Sequence, residues 1–130
     1  MDRAELQEWM VRRAEDLIRR LKEATGWDEA PDVGKTQTSK AIEVAQAAAS
    51  PLLFIHWLRY QAAREGARNK FWSRKLAGDN KTLAEAITED VNELKGKSPA
   101  GELMENVALY LGYFRRALIG LKYLDKIRDP

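Results

Sequence analysis

Four side chains in the middle of the chain invite contact with a polyanion. His56, Tyr60, Arg64 and Arg68 follow one another at four-residue steps, so on a helix they form a slowly turning line of polar and aromatic groups. Arg59 lies to one side of that line, and Lys70, Arg74 and Lys75 come soon after it. A guanidinium bridges two phosphate oxygens with paired hydrogen bonds, and an aromatic ring packs against a sugar or a base. Such a set suits a nucleic-acid backbone without reading its sequence, because phosphate contacts position and do not specify. The competing structural account pairs Arg64 with Glu43 or Glu65 and puts Tyr60 in the core.

Other chemistries are poorly supplied. His56 is the only histidine and falls among apolar neighbours, where a hydrogen-bonded core residue is a simpler account than a base. No Ser/His/Asp arrangement can be argued from spacing. Gly34-Lys35-Thr36 matches the end of a Walker motif but lacks the first glycine, and no strand precedes it. Glu89, Asp90 and Glu93 read as the outer face of an amphipathic helix, and no metal-ligand spacing appears. The chain has no cysteine, which removes disulfides, zinc–thiolate sites and thiol catalysis and points to a reducing cytoplasm. The expectation is a protein that is not an enzyme, with no catalytic residue, metal or cofactor.

The net charge of +2 is small, but its distribution is uneven. Residues 1–50 hold 8 basic and 10 acidic groups, residues 51–80 hold 6 and 2, and residues 81–130 hold 8 and 8. The positive excess therefore sits in the central third, where it faces either a polyanion or solvent. No run of eighteen apolar residues occurs, so no membrane span is expected. Asp2, Glu5 and Glu8 interrupt any apolar run that could act as an export signal.

The element that must present the central cations is the stretch from Ser50 to Gly66. Ser50 is a candidate cap, Pro51 fits the first helical position, and Gly66 offers a left-handed stop. From Leu52 to Leu58 the residues are apolar on nearly every side, which predicts a helix enclosed by neighbours whose far end emerges at Arg59. Before it, Asp2 with Glu5 resembles a capping box, and Leu6, Met10, Ala14, Leu17, Ile18 and Leu21 recur at helical spacing up to Gly26. Pro31 and Gly34 mark residues 26–35 as a loop, from which the first helix would dock on its own chain or on a neighbour. Thr36 to Ser39 are candidate caps for a second helix, Lys40 to about Ala49.

Residues 67–77 read as a short helix or an ordered loop. Thr82 with Glu85 forms a second capping box, and Gly96 is the expected end of its helix. Ser98-Pro99 reads as the start of a last helix of roughly 28 residues, about 40 Å long. Along it Leu103, Val107, Tyr110, Phe114, Ala117, Leu121 and Leu124 keep a 3.5-residue period, explained by packing within the bundle or by a self-pairing coiled coil. The fold class is all-α: one domain over 1–130, a bundle of five or six helices with a long C-terminal helix.

Three blocks resemble the small subunit of the Csm complex, the type III-A CRISPR effector, in that family's order. They are Thr36-Gln37-Thr38-Ser39-Lys40; then Leu58-Arg59-Tyr60-Gln61-Ala62-Ala63-Arg64-Glu65, similar to a Tyr-x-Ala-Gly-Arg helix; and Tyr113-Phe114 followed by Ala117-Leu118 and Lys122-Tyr123. Ala63 stands where the family has glycine, and the first 35 residues have no counterpart. The resemblance implies a family-like core over 36–127 in a non-catalytic subunit for antiviral defence. It would stack with copies of itself and with other effector subunits along a guide RNA–target RNA duplex. By that likeness Lys40, Arg59, Tyr60 and Arg64 would contact RNA. Charge alone adds Arg68, Lys70, Arg74 and Lys75, and less directly Arg115, Arg116 and Lys122. The main alternative is a protein–protein adaptor docking through its first or last helix. A helix-turn-helix DNA regulator is disfavoured, because the helix after Ser50 begins too apolar to enter a groove.

Overall fold

The computed structural model describes residues 1–130 and is all-helical. Five α-helices occur in order: α1 Arg3–Thr25, α2 Asp32–Ala47, α3 Pro51–Arg64, α4 Leu83–Lys97 and α5 Leu103–Ile119, followed by a 3₁₀ turn at Leu121–Tyr123. No helix is long and apolar enough to cross a membrane.

The two capping boxes form as the sequence predicts. The Glu5 amide donates to Asp2 at 2.8 Å, the Glu85 amide donates to the Thr82 hydroxyl at 3.2 Å, and each glutamate accepts from the amide of its cap in return. Gly26 closes α1 at φ 76°, its amide donating to the Lys22 carbonyl. All six apolar residues expected along α1 are buried, so this helix docks on its own chain, chiefly against α5.

The second helix begins at Asp32, not Lys40, and the loop before it covers only 26–31. Gly34 is not a breaker. It lies in the first turn of α2, where an added Cβ would come within 2.9 Å of the Phe71 ring and 3.0 Å of Leu118. Thr36 to Ser39 are interior residues, and Thr38 satisfies its buried hydroxyl by donating to the Gly34 carbonyl at 2.7 Å. Ala41 and Ala45 then let α2 lie close against α5.

α3 is two-faced, not enclosed. Phe54, Ile55 and Leu58 are buried, but Leu52 and Leu53 are 62% and 54% exposed, and His56 faces solvent. Ser50 is extended and makes no side-chain cap, and Gly66 is not left-handed; the helix ends at Glu65 in an extended conformation. The 67–77 segment is an ordered loop that drives Phe71 and Trp72 fully into the core. Its carbonyls at Trp72 and Arg74 accept from the Ala84 and Leu83 amides, satisfying the open first turn of α4.

α4 runs through Gly96 to Lys97, and Ser98 closes it by donating its amide to the Leu94 carbonyl. Ser98-Pro99 is therefore an end, not a start. α5 begins only at Leu103, after a turn with Gly101 at φ 82°. Its 17 residues make it about 25 Å long, shorter than the predicted 28-residue helix. The 3.5-residue stripe is spent inside the bundle, because α5 packs against α1, α2 and α4 together. Residues 124–130 run back along α1, tied by Arg19–Asp125 and Arg12–Asp129.

Asp90 is buried in the α1–α4–α5 junction, which corrects its reading as an outer-face carboxylate. The Tyr110 hydroxyl donates to it at 2.5 Å, and Arg13 lies 3.7 Å away while bonding Glu93 at 2.6 Å. Burial pushes the Asp90 carboxyl up to about 6, against the opposing pull of the Tyr110 hydroxyl and the Arg13 charge; Glu93 and Glu89 add to the rise. Burial and the Asp90 charge also hold the Tyr110 hydroxyl well above its usual value, so it stays the donor. Between the ordinary carboxyl value near 3.8 and about 6, the folded state keeps a proton that the unfolded state releases. Stability from this group is thus present at low pH and is lost as pH rises through about 6. Asp90→Asn is expected to raise unfolding stability at pH 7.5 by about 2 kcal/mol and to flatten the profile between pH 4 and 6. Denaturant titrations across that range check this; an unchanged slope in the variant counts against it.

Candidate nucleic-acid interface

The C-terminal half of α3 places Tyr60 and Arg64 in solvent on the face opposite Phe54, Ile55 and Leu58, while Arg59 is exposed on its flank, where it lines a hollow against α4 together with Ile55, Leu58, Glu85 and Glu89. Tyr60 is 59% exposed, so it is not a core residue. The Arg64 guanidinium carbon sits 5.5 Å from the centre of its ring, a cation–π contact that holds both groups side by side. His56 shares this exposed face and is not the core histidine expected. Arg68 does not continue the line, because the helix ends four residues earlier, but Arg68 and Lys70 are exposed in the loop that follows.

Neither Glu43 nor Glu65 pairs with Arg64. Glu65 is taken up entirely by the loop: its carboxylate accepts from the amides of Phe71, Trp72 and Ser73 at 2.9–3.0 Å and from the Ser73 hydroxyl at 2.7 Å. Trp72 in turn donates its indole N–H to Gln37 on α2 at 2.9 Å, which anchors the same loop to a second helix.

Two of the expected cations are committed elsewhere. Arg74 is half-buried, with its guanidinium 4.9 Å over the Trp27 ring and its Nε donating to the Lys70 carbonyl at 2.8 Å. Lys75 is exposed but donates to the Asn80 side chain at 3.0 Å and pairs its backbone with Thr82 in an isolated bridge. Lys40 lines a different depression, on α2 and α5, together with Lys35, Thr36, Ser39, Glu43 and Arg115. There Arg115 donates Nε to the Lys35 carbonyl at 3.4 Å. The sequence reading missed Lys35 because it put that residue in a loop; the α2 register that aligns Lys35, Ser39 and Lys40 was its only signal.

The charges elsewhere are balanced differently. Every arginine of α1 (Arg3, Arg12, Arg13, Arg19 and Arg20) lies within 4.0 Å of a carboxylate. Arg59, Arg64, Arg68, Lys70, Lys35, Lys40 and Arg115 have no such partner, since the only other ion pair is Lys81–Glu89. Of the central basic residues, Arg64, Arg68 and Lys70 are therefore exposed without an ion-pair partner, and Arg59 is exposed beside the hollow that Glu85 and Glu89 also line.

No family model, curated protein or solved structure matches this chain. The exposed cations of α3 and its loop are thus a candidate site on geometry alone.

Glu65→Ala leaves three amides of the loop without their acceptor. It is expected to cost about 3 kcal/mol and to speed hydrogen exchange at Phe71–Ser73 well beyond that at the centre of α1. Uniform exchange changes across the chain would contradict that role for Glu65.

Proposed function

We propose that this chain is a non-catalytic, RNA-binding structural subunit of a cytoplasmic ribonucleoprotein, similar in role to the small subunit of a type III-A CRISPR effector in antiviral defence. It contacts the guide RNA–target RNA backbone without regard to sequence and packs beside other effector subunits and copies of itself. One observation carries the reading: Tyr60 and Arg64 stand together in solvent, with Arg59 exposed on the flank of the same helix, while the neighbouring carboxylate of Glu65 is consumed by backbone amides. Two guanidiniums free of internal partners, one steadied by a ring, are what a phosphate backbone requires. Arg68 and Lys70 extend that surface, and Lys40 with Lys35 and Arg115 offers a second group of phosphate contacts.

A second reading, a protein–protein adaptor, draws support from a different place than the sequence suggested. The apolar faces of the first and last helices are buried in the bundle, but Leu52 and Leu53 leave an apolar patch at the start of α3. A subunit packed between neighbours would use this patch for protein and the far end of the same helix for RNA.

Arg59→Glu combined with Arg64→Glu should weaken binding to a mixed-sequence RNA at least tenfold near 100 mM salt and lower the salt dependence, with helix content unchanged. Filter binding across a salt series, with circular dichroism alongside, measures both. RNA binding equal to the parent's would sink the site, and a salt-independent oligomer lacking RNA affinity would favour the adaptor.

A further inference from the structure

Where α5 gives way to the 3₁₀ turn, a hollow of about 310 Å³ opens between the helix end, the turn and α1. Tyr113 and Ala117 come from α5, Tyr123 from the turn, and Val11 from α1; Glu15 and Arg116 are its only charged lining. Tyr113 and Arg116 also border the neighbouring depression beside Gly112, so space lies open on two sides of them. Tyr123 is 47% exposed. Each ring already carries cations: the Arg116 guanidinium carbon lies 5.8 Å from the Tyr113 centre, and Lys122 and Lys126 lie 5.4 and 5.9 Å from that of Tyr123.

None of these three cations is within ion-pair distance of a carboxylate. The acids of the tail are engaged elsewhere, Asp125 with Arg19 and Asp129 with Arg12. Glu15 disfavours a phosphate inside the hollow itself and offers an acceptor for an amino group.

We propose that this hollow receives one unpaired nucleobase of an RNA single strand, stacked on Tyr113 or Tyr123, with Arg116, Lys122 and Lys126 holding the adjoining phosphates. The inference deepens the RNA-binding reading and rests on it. Aromatic rings interleaved with unpaired cations are what bind single-stranded nucleic acid, since every base has a face to stack and every linkage a charge. A paired duplex keeps its bases inside and could use only the rim. An apolar side chain of a protein partner would fill the hollow but leave three cations without purpose.

The probe is a twelve-nucleotide RNA carrying one 2-aminopurine, used alone or annealed to its complement. The parent protein should quench the single strand on binding. Tyr113→Ala with Tyr123→Ala should lose about tenfold in single-strand affinity and most of the quenching, and keep duplex affinity; the corresponding double Phe variant should behave as the parent. Tyr123→Ala alone, at a half-exposed position, should show a smaller loss in the same direction if the double variant folds poorly. Single-strand binding and quenching unchanged in the alanine variants overturns the base site while leaving the backbone reading intact. A parent that binds neither probe overturns both, and a loss of self-association in place of RNA affinity assigns the hollow to protein.

Discussion

The Glu65 carboxylate holds the two halves of this molecule in register. It sits where α3 stops and collects three backbone amides and one hydroxyl from residues 71–73. A carboxylate with that many donors is satisfied without a cation. The consequence runs in both directions along the chain. Downstream, the loop is fixed so that Phe71 and Trp72 enter the core, Trp72 reaches Gln37, and the Trp72 and Arg74 carbonyls receive the first amides of α4. Upstream, Arg64 loses its nearest acid, so the end of α3 stays positive. One interaction thus orders the loop between α3 and α4 and leaves Arg64 without its sequence neighbour as a partner.

The opposite arrangement on α1 explains why basic residues there are not candidates. All five arginines of α1 meet carboxylates, among them Asp90, Glu93 and Glu102 from α4 and the turn after it, Asp79 from the loop, and Asp125 and Asp129 from the tail. Exposed pairs of this kind contribute little each. Their effect is to decide where charge remains. Carboxylates gathered around α1 neutralise its arginines, and exposed cations without ion-pair partners remain at the end of α3 and in the loop after it, on α2 and around the end of α5.

Features set by a few neighbouring residues were legible in the sequence. Both capping boxes and the Gly26 stop depend on residues within one turn, and the α1 stripe on a single helical period. The Tyr60–Arg64 contact was legible for the same reason, since four-residue spacing brings two side chains together wherever a helix forms. What escaped depends on distant partners. Gly34 reads as a breaker until Phe71 and Leu118 are seen filling the space a side chain would need. Asp90 reads as surface until Tyr110 closes over it, and Arg74 reads as free until Trp27 lies beneath it. The end of α5 escaped because the apolar period continues past it: Leu121 is buried from a 3₁₀ turn as effectively as from a helix.

The apolar start of α3 is the part of the sequence that its fold uses least as expected. An apolar run from Leu52 to Leu58 suggests burial on all sides, yet only Phe54, Ile55 and Leu58 are buried, with Trp57 and Ala62 packed partly against the core beside them. The outer positions, 52, 53, 56, 59, 60, 63 and 64, follow the three-and-four spacing of a single helical face. That face changes character along its length, from two exposed leucines to two arginines around a tyrosine. The chain's own core explains the inner face and leaves the outer one unspent. Leucines held in water cost free energy that only apolar cover recovers, and unpaired guanidiniums gain most from an anion. The two ends of one helix therefore differ in chemistry, apolar at its start and cationic at its end, and it is this difference that the proposed subunit role would use.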